Sequence, residues 1–284
     1  LVREPATTSS LPAVQSGWLA GMYCAEGCVL VRKEGPEKRP YTIGVGFGQM
    51  PGATATRLGK AIEKEHGKMP GYTGKEFQLY ATTVGQAYAG TFGRYSRNKG
   101  LPDGWCGLPG TWLSDFVAGV FDGDGTFVSN NNTAWQVCRI DTTSFLLAQQ
   151  VHAILRGAGV PARIILTPKR KLTRHQGFAV TFGFTERVAA LLSASSKVKG
   201  AAPKPASNDE RFPETIDYIR PVYFAAPPFV YDLETESHTL YVGGMLTHNT
   251  GGTAGGSSKA TNAFVRFQQL TQLPQTIRNA ATLA

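Results

Sequence analysis

The sequence predicts an α+β protein of two similar αββαββα halves followed by a short β-rich segment, and three observations carry that expectation. Residues 18–27 (Trp-Leu-Ala-Gly-Met-Tyr-Cys-Ala-Glu-Gly) and 115–125 (Asp-Phe-Val-Ala-Gly-Val-Phe-Asp-Gly-Asp-Gly) share one plan: an apolar run broken by Ala-Gly, then an acid, then Gly. Behind each copy, strand-like and helical runs alternate in the same order. Beyond residue 220, short β-branched and aromatic runs replace the helical periodicity.

The first half takes residues 11–98 of a domain at 1–200. Leu11 to Glu26 is predicted as the first helix, with Pro12 tolerated in the opening turn and Gly27 closing it. Cys28 to Lys33 and Tyr41 to Phe47 read as strands around the Gly35-Pro36 turn, and Arg32, Lys33, Lys38 and Arg39 make the hairpin tip basic. Ala53 to His66 is amphipathic and helical, Glu76 to Thr83 extended, and Val84 to Tyr95 a short helix. Lys99-Gly100-Leu101-Pro102 links the halves.

The second half takes residues 109–195. After its apolar helix come strands at Thr126 to Ser129 and Thr133 to Ile140 around an Asn130-Asn131-Asn132 turn. Thr142 to Gly157 is the clearest amphipathic helix, with Phe145, Leu146, Ala148, Val151, Ile154 and Leu155 at helical spacing. Ala162 to Thr167 and Gly177 to Phe184 are strands around a basic connection, and Glu186 to Ser193 closes the half as a helix. Residues 201–219, rich in Ala, Pro, Ser and charge, read as a linker.

The repeated motif has a chemical consequence. Ala20-Gly21 and Ala118-Gly119 lack the side chains that would hold two such helices apart, so the copies can pack together and their last turns, with Glu26 and Asp124, converge. A carboxylate at a helix C-terminus faces the negative end of the dipole, and a second one beside it adds repulsion. A divalent cation resolves both costs. Mg²⁺ prefers one or two carboxylates and retains waters, as activation of water against a phosphodiester requires.

These paired stretches resemble the LAGLIDADG (dodecapeptide) motifs of homing endonucleases over roughly residues 11–195. The second copy is the closer match; in the first, Cys24 stands where the family often has Asp, while Glu26 keeps the metal-binding position. The resemblance implies two sheets forming a saddle over double-stranded DNA, with Mg²⁺ or Mn²⁺ held by Glu26 and Asp124 and a double-strand cut across the minor groove. A β-ribbon fits the major groove and basic residues at its ends neutralise phosphates. The candidate DNA-binding residues are Arg32, Lys33, Arg39, Arg139, Lys169, Arg170, Lys171 and Arg174.

Charge agrees with that partner. Across 284 residues, 29 Lys plus Arg against 20 Asp plus Glu leave a formal net charge of +9, suited to an anionic ligand. Cys24, Cys28, Cys106 and Cys138 form no CxxC pair, so reduced packing thiols in a cytoplasmic, monomeric protein are expected. No apolar run is long enough to span a membrane as a helix. The chain starts at Leu1 without Met, and a fragment of a longer product is the expectation.

A second chemistry sits at residues 220–249. Val230 to Glu236 and Thr239 to Val242 are strand-like, and Gly243-Gly244 turns the chain into Met245-Leu246-Thr247-His248-Asn249-Thr250. This pattern resembles the C-terminal splicing region of inteins, a Hint-type segment. Asn249 can attack its own carbonyl to form a succinimide and release Thr250, His248 and His238 can transfer protons, and the Thr250 hydroxyl can receive an acyl group. The Cys or Ser that opens an intein and its Thr-x-x-His segment are not identifiable before residue 18, so an N-terminal intein piece is the further partner expected. Residues 250–284 then read as a host (extein) segment, whose Gly-rich start does not meet the GxxxxGK[ST] spacing of a phosphate loop.

The reading is therefore a metal-dependent homing endonuclease joined to a splicing element. Its competitors are a freestanding LAGLIDADG endonuclease and a cleavage-dead DNA-binding regulator.

Overall fold

The computed structural model describes residues 14–33, 39–129, 136–167, 175–201, 203, 239–242 and 245–248. The chain divides into two units, Leu1–Glu210 and Arg211–Ala284. In the first unit the order is α1 (Gly17–Glu26), β1 (Gly27–Arg32), β2 (Tyr41–Gly48), α2 (Ala53–His66), β3 (Gly71–Tyr72), β4 (Glu76–Leu79) and α3 (Thr82–Phe92). It then repeats as α4 (Gly110–Asp124), β5 (Gly125–Ser129), β6 (Gln136–Thr142), α5 (Phe145–Gly157), β7 (Ala162–Thr167), β8 (Gly177–Gly183) and α6 (Glu186–Leu191). Each half forms an antiparallel four-stranded sheet, in the orders β1-β2-β4-β3 and β5-β6-β8-β7. The αββαββα pattern is thus present twice.

The boundaries differ from the sequence expectation where side chains compete with the helix. Helix α1 starts at Gly17, not Leu11: the Ser16 side chain accepts from Leu19 N, while Gln15 N and Ser16 N donate to the Glu65 carboxylate. Residues 14–16 are therefore extended into a cap. Helix α5 likewise starts at Phe145, because the Ser144 hydroxyl accepts from Leu147 N and donates to the Lys99 carbonyl. The extended run at Glu76 stops at Leu79, and α3 takes Thr82 to Phe92 instead of Val84 to Tyr95. The two-residue β3 carries no period-two signal and was not expected.

Helices α1 and α4 pack backbone against backbone. A Cβ on Gly21 would strike the Phe116 carbonyl oxygen, and one on Gly119 would strike that of Trp18; Gly17 meets the Trp112 carbonyl in the same way, and Gly123 lies against the Ala25 methyl. Each helix thus presents Gly at i and i+4 on one face, which is why the axes come so close. Gly21→Ala is expected to force the helices apart and cost about 3 kcal/mol in urea unfolding. Gly90→Ala, on an exposed stretch of α3 with open space around it, should stabilise by about 0.5 to 1 kcal/mol in the same assay.

Gly27 and Gly125 close the two helices for a steric reason. Both are extended (φ −75° and −80°), so neither needs the left-handed freedom of glycine. A side chain there would collide with the rings of Tyr23 and Phe121, and their absence lets each helix run directly into its first strand. Those rings anchor the two half-cores: Tyr23 lies 4.8 Å from Tyr88 in one, and Phe121 5.4 Å from Phe127 in the other.

In the second unit, β9 (Thr239–Val242) pairs antiparallel with β10 (Met245–His248), Val242 opposite Met245. The strand expected at Val230 to Glu236, the 204–219 part of the linker and the 250–284 segment lie outside the described residues. Among the described residues no helix is long and apolar enough to cross a membrane.

Candidate active site

Glu26 and Asp124 are the last residues of α1 and α4, and the contact between those helices brings the two carboxylates into electrostatic reach. Burial pushes the Asp124 carboxyl up to about 7, the Glu26 charge pushes it the same way, and Asp141 adds to it; Lys99 and Lys197 oppose the rise. The repulsion foreseen from the sequence is therefore built into the fold.

The two lysines are what sequence reading missed. Lys99, fully inside the protein, donates from Nζ to the carbonyls of Tyr23 (2.8 Å) and Gly27 (2.5 Å). Lys197 donates to those of Gly123 (3.0 Å) and Gly125 (2.7 Å). Each ammonium thus caps the C-terminal carbonyls of one motif helix, against the negative end of its dipole and beside its acid. Burial lowers both lysines, with the nearby acidic groups acting to hold them protonated. A signal for them was present in the sequence: Glu26 and Asp124 stand 98 positions apart, and so do Lys99 and Lys197.

Lys197 is held by a buried carboxylate. Asp122 accepts from Trp18 Nε1 (2.8 Å), Ser195 Oγ (2.6 Å), Ser196 N (2.9 Å) and Lys197 N (3.2 Å). Arg57 completes the shell, with Nη1 3.5 Å from Asp122 and donating to the Ala194 carbonyl, and with its guanidinium 3.9 Å over the Trp18 ring. Asp122 so ties α4 to α1, α2 and the segment bearing Lys197. In α1 its counterpart is the buried Cys24, whose neighbour is the Gly100 backbone beside Lys99.

The other candidates are placed unevenly. Arg32, Lys33 and Arg39 are exposed at the ends of β1 and β2. Arg139 sits mid-strand on β6 and is bound to Asp141 through two hydrogen bonds of 2.8 and 2.7 Å, so it is a paired cation. Lys169, Arg170, Lys171, Arg174, His238, Asn249 and Thr250 lie outside the described residues; His248 ends β10, and nothing of its side chain is described. Cys28 is more than a packing thiol, since its Sγ donates to Glu76 at 3.1 Å.

Two acids at converging helix ends suit a hard cation that keeps water ligands. No group of three or more His, Cys, Asp or Glu able to hold a metal occurs among the described residues.

Residues 111–188 match the LAGLIDADG-like domain. That span begins in the first turn of α4, contains Asp122 and Asp124, and ends in α6. Solved structures similar to the chain include mesophilic variants of the homing endonuclease I-DmoI, at 15% identity over 62% of this chain and 94% of that one, with a TM-score of 0.44. A variant of I-DmoI in complex with its target DNA in the presence of Mn matches at 14% over 64% and 95%, TM-score 0.45. The LAGLIDADG homing endonuclease I-GzeII in complex with a DNA target matches at 9% over 64% and 84%, TM-score 0.42. No curated protein sequence matches the chain. Within the matched span, the structure places Asp124 at the helix end and Asp122 in the buried hub.

Proposed function

We propose that the chain is a divalent-cation-dependent endonuclease that cuts both strands of a specific duplex DNA site, joined to the C-terminal part of a protein-splicing element. The observation that carries the nuclease reading is the meeting of Glu26 and Asp124 at two glycine-apposed helix ends, each capped by its own lysine. The match of residues 111–188 to the LAGLIDADG-like domain supports it. In the reaction a water oxygen bonds to phosphorus, one P–O ester bond breaks, the water gives up a proton and the departing oxygen takes one. Glu26 and Asp124 would hold Mg²⁺ or Mn²⁺, which when bound polarises the phosphate and makes water a better nucleophile. Lys99 and Lys197 offset the negative charge of carboxylates, helix ends and phosphate. Arg32, Lys33 and Arg39, with Lys169, Arg170, Lys171 and Arg174, neutralise the DNA backbone. The protein acts as a monomer because one chain supplies both acids.

Sequencing the ends produced when the full chain meets a random duplex pool in Mg²⁺ tests this reading. Paired ends from one recurrent site are expected. Specific binding without ends would favour a DNA-binding regulator, and neither binding nor ends would remove the nuclease proposal.

The splicing reading rests on the His-Asn-Thr end, into which the β9-β10 hairpin runs. The Asn249 amide nitrogen bonds to the Asn249 carbonyl carbon, the bond to Thr250 breaks, and the amide proton passes to the departing amine with His238 and His248 as proton carriers. Full splicing requires an N-terminal piece with a Cys or Ser nucleophile. Mass spectrometry of the purified chain is expected to show release of residues 250–284, absent in Asn249→Ala; an intact wild-type mass would leave a freestanding endonuclease.

A further inference from the structure

The open faces of the two sheets carry opposite chemistry at equivalent places. Phe47 pairs with Gly27 after α1, and Ile140 pairs with Gly125 after α4, so Gly46 and Gly48 of β2 correspond to Arg139 and Asp141 of β6. On the neighbouring strands Gly46 and Gly48 face Gln78 and Glu76, while Arg139 and Asp141 face Thr181 and Ala179. Each sheet thus has one acid beside its helix end, but on a different strand and with a different partner.

In the first sheet, β2 is bare on this face and Glu76 lies over Gly46, with Cys28 alongside. Glu76 Oε1 accepts from Cys28 Sγ, and Oε2 accepts from Gln78 Nε2 at 2.8 Å. Gln78 Oε1 in turn accepts from the Tyr80 hydroxyl at 2.7 Å. This chain of bonds fixes a half-exposed row whose spare capacity is mainly carboxylate and carbonyl lone pairs. In the second sheet the acid is consumed by Arg139, whose Nε and Nη2 are bound to Asp141.

We infer that the two sheets read two-fold related positions of the DNA differently: Glu76 and Gln78 select a base with a major-groove amino group, cytosine or adenine, and the Asp141-braced Arg139 selects guanine. The inference rests on the nuclease reading above. Amino groups of cytosine and adenine meet acceptors, and O6 and N7 of guanine meet an arginine. Glu76 also penalises guanine, whose acceptors would face a carboxylate. The preferred site is therefore not a palindrome.

The test enriches duplexes bound by the full chain from a random pool in EDTA, where nothing is cut. The wild type should enrich a site with an amino-bearing base in one half and guanine at the related place in the other. Glu76→Gln and Gln78→Ala should each relax discrimination in the first half only, and Arg139→Gln in the second only, by about tenfold. Gln78→Ala removes only a half-exposed amide, so it remains informative if Glu76→Gln fails to fold. A symmetric wild-type site, or variants that bind with unchanged preference, would overturn the inference while leaving the nuclease intact. Failure of the wild type to enrich any sequence would remove both.

Discussion

Replacing Asp124 with Asn is expected to abolish DNA cutting and to make the cation-free protein more stable. Both effects follow from one carboxylate held against its electrostatic preference. The folded carboxyl is raised from 3.8 to about 7, chiefly by burial and then by Glu26. A group raised in the folded state favours folding while protonated: that contribution is complete below the unfolded value of 3.8 and is lost as pH rises through about 7. In EDTA the wild type should therefore lose up to about 4 kcal/mol between pH 4 and pH 8. Asp124→Asn should flatten that profile, and Mg²⁺ should restore the wild type alone, by binding the folded state. Cutting by the Asn variant should fall by at least about a thousandfold. Urea unfolding against pH, with and without Mg²⁺, and strand-resolved DNA cleavage measure the two sides. A wild-type stability that does not change over this range would show that the two acids do not strain the fold. Wild-type levels of cutting by Asp124→Asn would end its assignment to the reaction.

Asp122→Ala should be the most damaging substitution away from the two converging acids. It removes the acceptor of Trp18, Ser195, Ser196 and Lys197, while the partly exposed Arg57 guanidinium keeps only the Ala194 carbonyl and the Trp18 ring. Leaving the buried donors around Asp122 unmet costs about 1 to 3 kcal/mol for each orphaned group that water cannot reach, seen as a drop in the urea midpoint at constant slope. Asp122→Asn should recover part of that loss, since its amide oxygen still accepts while its NH₂ faces donors. Lys197 depends on this hub for its place under α4, so Asp122→Asn should also slow cutting in protein that remains folded. An equal loss from Cys24→Ala would contradict the asymmetry, because the first helix has a thiol in place of the hub. The motif departure at Cys24 thus has a physical counterpart: the two halves brace their lysines differently.

Much of this molecule was legible before any fold was known. Helix α2 at Ala53 to His66 and strand β7 at Ala162 to Thr167 match their sequence limits, because amphipathic spacing and β-branched runs are local properties. The starts of α1 and α5 were not, because Glu65 and Ser144 intervene through side-chain bonds that periodicity does not encode. By itself the sequence determined the order of elements in both halves except for β3, together with the two acids and the glycines that let their helices touch, since each is written in neighbouring residues. Only the tertiary structure decided that Lys99 and Lys197 cap those helices, that Asp122 is a buried anchor and that Arg139 is already paired. Except for the Arg139 pair, those bonds join residues more than sixty positions apart, and hydrogen bonding at that range is set by how the sheets and helices close around the core.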